Sequence, residues 1–254
     1  MKIIFSRKGF DTTAGGVPSP IVDGAPVSLP IPTPGRSATT YAQRGLGALV
    51  EKVTRGRLAA DALCHDDPMF GLSPQGEALC WFGQFGAAQG HLAKHGVGVG
   101  GHFLFFGLFA DPETGERHHR IFAHMQVRMT GSPQELRARP DWPEPPLPHP
   151  HEIGEWSANN TLWIGPGTCA KTADPALRLT ASGGPLNLWD VPPWLRRRGL
   201  TYHERPERWK RARARHGPRL DSARRGQEFI CDIGRAEAPR TWLADIVARI
   251  EGNG

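Results

Sequence analysis

The first residues in the chain that could do chemistry are Arg7, Lys8 and Asp11, which follow a short apolar run. A loop with paired glycines, Gly15 and Gly16, comes next. Glycine permits positive φ angles and a close approach of ligand to backbone, and cationic side chains bind phosphate or carboxylate groups strongly. We therefore predict an anion-binding strand end, with Asp11 beside it as a candidate catalytic acid or base. The alternative is a surface strand with a solvated basic end.

Three further residues could move protons. His65 and Asp67 lie two positions apart after a predicted helix, where they could orient a hydroxyl group or act as a general base. They could equally cap a helix and start a turn, because Asp67 precedes a proline. Glu228 follows Gln227 at the start of an apolar run and is the preferred catalytic residue. Its alternative is an exposed glutamate at a strand edge.

Other polar residues could bind the amide groups or base edge of a substrate. Gln84 and Gln89 are candidates, although buried glutamines are common in cores. His124 and Gln126 alternate on one face of an apolar strand, so we expect them to be buried neighbours that need hydrogen-bond partners. The rest of this predicted substrate-binding set is His151, Asn160 and Gln227.

A metal site is considered at His91 and His95, whose spacing of four residues would place both rings on one helix face. No third ligand lies near them in a recognisable motif, and Gly96 makes His95 a helix-end residue. The sequence therefore predicts no metal site.

A basic segment lies between residues 195 and 225, where twelve Lys and Arg face three acids. Its local charge of +9 exceeds the +6 of the whole chain, so the remainder is net acidic. Arginine pairs with phosphate through two parallel hydrogen bonds, so such a patch favours a polyanionic partner. The alternative is an arginine-rich loop without a partner. The residues predicted to contact nucleic acid are Arg196, Arg197, Arg198, Arg208, Lys210, Arg211, Arg213 and Arg215.

Length and composition limit the classes of protein to which this chain can belong. We treat residues 1–254 as a single domain that includes the basic segment, because this length can bury one sizeable core. The 24 prolines and 31 glycines indicate many turns and irregular loops rather than a helical bundle. The four cysteines form no Cys-x-x-Cys pair and support neither a disulfide framework nor a zinc ribbon. With no apolar run of roughly 20 residues and no secretion signal, we expect a cytoplasmic protein without a membrane partner.

Strand and helix patterns are mixed without a regular alternation. This pattern predicts an α+β fold with a central mixed, largely antiparallel sheet, flanking helices and long Pro/Gly-rich loops. The clearest prediction is a hairpin in the sheet centre, formed by residues 103–109 and 121–127, with His118 and His119 solvated in its turn. The other predicted elements are helices over 41–63, 85–95 and 242–250 and strands over 1–5, 161–164, 177–179 and 227–230.

Several segments, in order along the chain, resemble the third nucleotide modification associated domain family. The most specific is the N-terminal signature, residues 5–11 (FSRKGFD) with residues 15–21 (GGVPSPI). The other similar segments are residues 64–68, 82–84, 86–89, 91–92, 96–98, 103–107, 149–151, 160–162 and 227–229. The resemblance implies a part in making or processing modified DNA bases in bacteria and their phages. His95 departs from it, since the resemblance leads us to expect an amide residue there.

Three classes of function follow as hypotheses, each with a nucleotide or DNA as partner. The first is a nucleotide or DNA base-modifying transferase, in which Arg7 and Lys8 bind phosphate, and Glu228 stabilises a sugar-like cation or acts as base. A narrower version uses NAD, because the order of Arg7 and the Gln227–Glu228 pair is similar to that of ADP-ribosyltransferases. The second class is a non-catalytic reader of modified DNA. The third is a structural partner of other proteins in a DNA modification system.

Overall fold

The computed structural model describes residues 1–210 and 217–252 of the chain. The strands are β1 (Lys2–Arg7), β2 (Ser19–Val22), β3 (Ala25–Pro26), β4 (Ile31–Pro32), β5 (Cys64–His65), β6 (Met69–Leu72), β7 (Ala78–Gln84), β8 (His102–Ala110), β9 (Arg117–Gln126), β10 (Met129–Gly131), β11 (Thr161–Cys169), β12 (Leu188–Asp190), β13 (Trp209–Lys210), β14 (Arg219–Asp221) and β15 (Glu228–Asp232). The helices are α1 (Gly47–Thr54), α2 (Gly86–Lys94), α3 (Pro133–Arg137), α4 (Pro193–Arg198) and α5 (Glu237–Glu251).

The main sheet has ten strands and follows the order β15-β1-β8-β9-β11-β7-β6, with β2, β3 and β10 paired beside this path. Within it, β1 runs parallel to β8 and antiparallel to β15, while the other pairings along the path are antiparallel. A small sheet of β12, β14 and β13 and the pair β4–β5 lie outside it. The predicted α+β fold with a mixed, largely antiparallel sheet is confirmed.

The strand β1 separates two apolar cores, because successive side chains point to opposite faces of a strand. Phe5 packs into a core covered by α4 and α5, where it contacts Trp242 at 6.1 Å between ring centroids. Ile4 packs into the other core, which contains Phe82 of β7 and Leu92 of α2. Burial on both faces explains why β1 is a continuous apolar run rather than an alternating one.

The predicted central hairpin is confirmed as β8 and β9, which pair from His102–Gln126 to Ala110–Arg117. Asp111 closes the turn by accepting hydrogen bonds from the backbone amides of Glu113 and Thr114. The expectation that His118 and His119 are solvated is wrong, because both lie in β9 and are buried.

Other expectations also differ from the structure. The helix predicted over 41–63 is confined to α1, because Arg55 and Gly56 adopt positive φ angles and end it. Residues 177–179 form no strand, since Leu177 ends a 3₁₀ turn and residue 178 makes only an isolated bridge. The patterns also left out β7, an apolar run whose burial on both faces removes the polar alternation that would mark a strand.

The four cysteines are free thiols, with Cys64, Cys80 and Cys231 buried and Cys169 exposed. Among the described residues, no helix has the length and apolar character needed to cross a membrane.

Candidate active site

A cavity of about 290 Å³ lies where the end of β1, the end of β7 and the chain preceding β15 meet. We refer to it as the cleft. Eight of the predicted site residues line it, namely Arg7, Lys8, Asp11, His65, Asp67, Gln84, His151 and Gln227. A larger cavity of about 550 Å³ beside α5 is lined by residues such as Phe5 and Trp242 and contains none of the predicted site residues. The titratable groups converge in the smaller cavity.

Lys8 is held at the cleft by a buried network around Glu228. The register of β1 and β15 sets Ser6 opposite Glu228, and the pleat directs Ser6 and Lys8 to the same face. Glu228 Oε1 accepts hydrogen bonds from Ser6 Oγ at 3.0 Å, Lys8 Nζ at 3.3 Å and Gln84 Nε2 at 2.8 Å. The Lys8 ammonium also lies 4.2 Å from the centre of the Phe82 ring. The cation near the chain start and the acid near its end are therefore in direct contact.

Glu228 itself lies below the surface of the cleft. It is 1% exposed and is absent from the cavity lining, and its Oε2 has no hydrogen-bond partner among the described residues. A buried ion pair whose members hold further hydrogen bonds fixes geometry more than it adds stability. In this arrangement Glu228 orients Lys8 and Gln84.

Arg7 points to the opposite face of β1 from Lys8. Its guanidinium lies 5.6 Å and 5.8 Å from the ring centres of Phe106 and Phe229. It donates hydrogen bonds to the carbonyl oxygens of Arg224 and Ala223, each at 2.8 Å. Burial lowers the pKa of Arg7, which remains a charged anchor. Two of its nitrogens thus hold the loop that precedes β15.

Asp67 is the centre of a histidine cluster. Its Oδ1 accepts a hydrogen bond from the Gly83 amide at 2.7 Å and lies 3.5 Å from Nε2 of His149. Its Oδ2 lies 3.9 Å from Nε2 of both His65 and His151. Burial alone would raise the pKa of Asp67, but the side chain of His149 and the charges around it hold that pKa well below its ordinary value.

Burial disfavours the charged form of both histidines at Oδ2 of Asp67. Burial lowers the pKa of His65, and it lowers the pKa of His151 to about 3. An ionised carboxylate therefore faces two imidazoles that can each accept a proton or ligate a cation.

The ring of His151 is fixed on both sides and at its edge. Trp156 stacks on it with 4.3 Å between ring centroids and 9° between planes. Its Nδ1 lies 2.6 Å from Oδ1 of Asn160, and the Asn160 amide donates back to the His151 carbonyl at 2.8 Å. Gly83 lies so close that a Cβ there would come within 2.2 Å of the ring. Asn160 thus supports His151 without lining the cleft.

The glycine loop serves to shape the wall of the cleft. Asp11 Oδ1 accepts hydrogen bonds from the amides of Thr13 and Ala14, both at 2.6 Å, so this carboxylate stabilises the turn. Gly15 and Gly16 have φ angles of 78° and 72°, a region that favours glycine. Gly15 also packs against Phe10, leaving no room for a side chain. Neither glycine lines the cleft.

In the comparison with protein-family models, residues 2–232 match the model described as nucleotide modification associated domain 3. The chain belongs to this family. The match begins at β1 and ends in β15, so it includes every cleft residue named above. No curated protein and no solved structure matches the chain. The family description associates this domain with nucleotide modification.

Several predicted substrate-binding residues of this family member lie away from the cleft. His124 faces α5, with its Nε2 3.4 Å from Oε1 of Glu251. Gln126, the last residue of β9, is exposed, so the expectation of a buried pair with His124 is wrong. Gln89 is buried in α2, and its Oε1 lacks a hydrogen-bond partner among the described residues.

The predicted nucleic-acid contacts are distributed along the basic segment. Arg196, Arg197 and Arg198 are exposed in α4, Lys210 is exposed in β13, and Arg208 donates to the Asp221 carbonyl at 2.8 Å. Arg211, Arg213 and Arg215 lie outside the described residues.

Several residues in and around the cleft are outside the predicted set. Arg224, from the basic segment, and Phe85, which is 38% exposed, both line the cleft. His149 and Trp156 support the Asp67 cluster. The HPH spacing of residues 149–151 hinted at His149, but no local pattern marked Trp156, because its partner is a ring brought close by folding.

Proposed function

We propose that this protein is an enzyme that modifies a nucleotide or a DNA base, with the cleft as its active site. The observation that carries the proposal is the convergence, in one cavity, of a largely buried cation and a carboxylate flanked by two histidines. Titratable groups with perturbed pKa values that meet in a cavity are candidates for a functional site. The family's association with nucleotide modification supports a nucleotide as the substrate.

The binding end of the cleft suits a nucleoside phosphate. Lys8 and Arg224 supply positive charge for phosphate, and Gln84 and Gln227 present amides that can pair with a base edge. The exposed ring of Phe85 offers a surface on which a base can stack. A cavity near the lower end of the roughly 300–1,000 Å³ range of ligand sites favours one nucleoside unit over a dinucleotide.

The reactive end is Asp67 with His65 and His151. An ionised carboxylate beside neutral imidazoles can take a proton from a water, hydroxyl or amine, or can bind a cation that activates such a group. Glu228 acts through Lys8 and Gln84 as a positioning residue. This role differs from that of a glutamate that touches a glycosidic bond, so the NAD-dependent alternative is less favoured.

DNA is the favoured form of the substrate, because Arg224 continues the basic segment into the cleft. The exposed arginines of α4 belong to the same segment and can contact backbone phosphates. A base in duplex DNA would have to leave the stack to enter a cavity of this size.

Mass spectrometry of nucleosides tests the proposal, using DNA from cells that carry the protein and from cells that lack it. We expect a modified nucleoside that depends on the protein and disappears with Asp67→Asn or Lys8→Gln. Asp61→Asn and Lys52→Gln are matched controls, because both residues are exposed and lie outside the cleft. These two variants should retain the modification.

A non-catalytic reader gives a different result. Its DNA binding would fall steeply with salt, and the nucleoside profile would be the same with and without the protein. Unchanged nucleosides together with tight binding to modified DNA would overturn the enzyme proposal in favour of the reader.

A further inference from the structure

We propose that His65, Asp67 and His151 bind one divalent transition-metal ion at the reactive end of the cleft. This site differs from the pair on α2 that the spacing of histidines first indicated. Its role in catalysis rests on the proposed function, but its existence does not, because metal binding is measured without a nucleotide.

The three side chains converge as ligands would. One ligand atom from each, a ring nitrogen of each histidine and a carboxylate oxygen of Asp67, lies within 4.8 Å of the others. Both Nε2 atoms are 3.9 Å from Oδ2 of Asp67, which is beyond a hydrogen bond. An ion about 2.1 Å from each ligand requires ligand separations of about 3.0–3.5 Å. To close the site, the two distances of 3.9 Å must shorten by about 0.4–0.9 Å, and a separation as long as 4.8 Å must shorten by about 1.3–1.8 Å.

The supporting contacts are those of a metal-binding histidine. Asn160 donates from its amide nitrogen to the His151 carbonyl at 2.8 Å, which turns its Oδ1 toward Nδ1 of His151 at 2.6 Å. Nδ1 must then carry the proton, so the lone pair of Nε2 points at Asp67. Such a partner on the far nitrogen fixes the tautomer and the ring orientation of metal ligands.

The carboxylate is prepared in the same way. The Gly83 amide binds Oδ1 of Asp67 at 2.7 Å and leaves Oδ2 facing the histidines. Lys8, the nearby cation, forms its ion pair with Glu228 at 3.3 Å rather than with Asp67. A purely structural carboxylate would instead be expected to hold hydrogen bonds at both oxygens.

The ligand set indicates the class of metal. Two imidazoles and one carboxylate suit Zn²⁺, Fe²⁺, Mn²⁺ or Co²⁺, whereas Mg²⁺ and Ca²⁺ prefer oxygen ligands. Three protein ligands leave coordination positions open, as catalytic metal sites do. All three residues line the cleft, so those positions face the space assigned to substrate, where a phosphate oxygen or a water can bind.

The test uses the full chain, with any purification tag removed and metal stripped by a chelator. Isothermal titration with Zn²⁺, and Co²⁺ absorption in the visible range, should both give one ion per chain. His65→Asn, Asp67→Asn and His151→Asn should each weaken binding by more than about 100-fold, and Asn160→Ala by about 10- to 100-fold. His91→Asn and His95→Asn should bind as the unchanged protein does.

Thermal unfolding of each variant shows whether it still folds. His65→Asn is the variant expected to perturb folding least, because His65 is only half-buried. No stoichiometric uptake by the folded, unchanged chain would overturn the inference. Uptake that is lost with His91→Asn but kept with His65→Asn would also overturn it. If no ion binds and Asp67→Asn still abolishes the modified nucleoside, the metal inference fails while the proposed function stands. If the ion binds but the protein never changes the nucleosides, the proposed function fails while the metal inference stands.

Discussion

Two pairs of histidines in this protein differ in what surrounds them. His91 lies on α2 and His95 is its C-cap residue; their ring centroids are 4.5 Å apart, and His91 Nε2 pairs with the Thr201 hydroxyl at 3.1 Å. His65 and His151 are far apart in the chain, yet their rings lie 5.4 Å apart on either side of a buried carboxylate.

The comparison shows that ring spacing alone does not make a site. The helical pair has a suitable spacing, but the hydrogen-bond partner of His91 Nε2 is the neutral hydroxyl of Thr201 rather than a carboxylate. The distant pair flanks Asp67, whose pKa stays well below its ordinary value despite burial because of the His149 side chain and the nearby charges. The amide of Asn160 supports the ring of His151. The supporting groups distinguish the two pairs better than the histidines themselves do.

The largest effect is expected from Asp67→Asn. Loss of the charge should abolish both the modified nucleoside and metal uptake, because the histidines alone resemble the pair on α2. Nucleoside mass spectrometry and isothermal titration measure the two effects. Asp61→Asn, on an exposed loop, is the control, and equal losses in both variants would remove the distinction between the clusters.

Lys8→Met should lower the free energy of unfolding by about 3–5 kcal/mol, because it leaves Glu228 buried without its cation. Lys94→Met removes an exposed cation from α2, next to the other histidine pair, and should change stability by less than about 0.5 kcal/mol. Urea unfolding measures both. A Lys8→Met, Glu228→Gln double variant should recover part of the loss, and no recovery would contradict the pairing argument.

A pair of glycine substitutions sharpens the contrast further. Gly83→Ala would drive a Cβ into the His151 ring and should cost about 1–3 kcal/mol, with weaker metal binding. Gly90→Ala lies beside His91, where a Cβ meets nothing within 4 Å, and should stabilise α2 by about 0.5–1 kcal/mol. Thermal or urea unfolding should show a lower free energy of unfolding for Gly83→Ala and a higher one for Gly90→Ala. A destabilised Gly90→Ala variant would be inconsistent with an open helix face.

The last prediction concerns the pH dependence of stability and His203, which belongs to neither pair. Burial lowers the pKa of His203 to about 4. Its Nε2 accepts a hydrogen bond from the Ala223 amide at 2.9 Å. The charged residues near it are Arg208, Glu204 and Arg7. Above about pH 6.5, both the folded and unfolded forms are neutral and stability is unaffected. Between about pH 6.5 and 4 only the unfolded chain gains a proton, so the free energy of unfolding falls by up to about 1.4 kcal/mol per pH unit.

The measurement is urea unfolding of the unchanged protein and of His203→Asn at several pH values. The variant should show a shallower decline with acid, and its difference from the unchanged protein should shrink as the pH falls. His91→Asn, at a partly exposed position, is the comparison and should alter the slope less. A slope unchanged by His203→Asn would remove His203 as its cause.

Much of the fold could be predicted from local patterns. The hairpin of β8 and β9, helix α2, helix α5 and strand β15 all follow apolar runs or periodic spacing that the sequence displays. The helix predicted over 41–63 failed in its second half, where backbone turns at Arg55 and Gly56 override the apolar spacing. Strand β7 was missed because complete burial removes the alternation on which strand prediction depends.

The candidate site could be predicted in its members more than in its geometry. Arg7 and Lys8 were expected to bind phosphate together, but the pleat of β1 sends them to opposite faces, where Arg7 is occupied by backbone carbonyls. Glu228 was expected to face the substrate, but its register with Ser6 directs it inward. Both differences depend on strand pairing, which residue types do not reveal.

By itself the sequence determined which ionisable residues are available, the strands and helices that carry most of them, and the family to which the chain belongs. The tertiary structure alone decided that Asp67 stands between His65 and His151, that Asn160 orients one of these rings, and that Lys8 shares their cavity. The physical reason is that local patterns report burial and backbone preference over a few residues. The charges, protonation states and hydrogen bonds of a site depend on neighbours that are distant in the chain and are brought together only when the sheet forms.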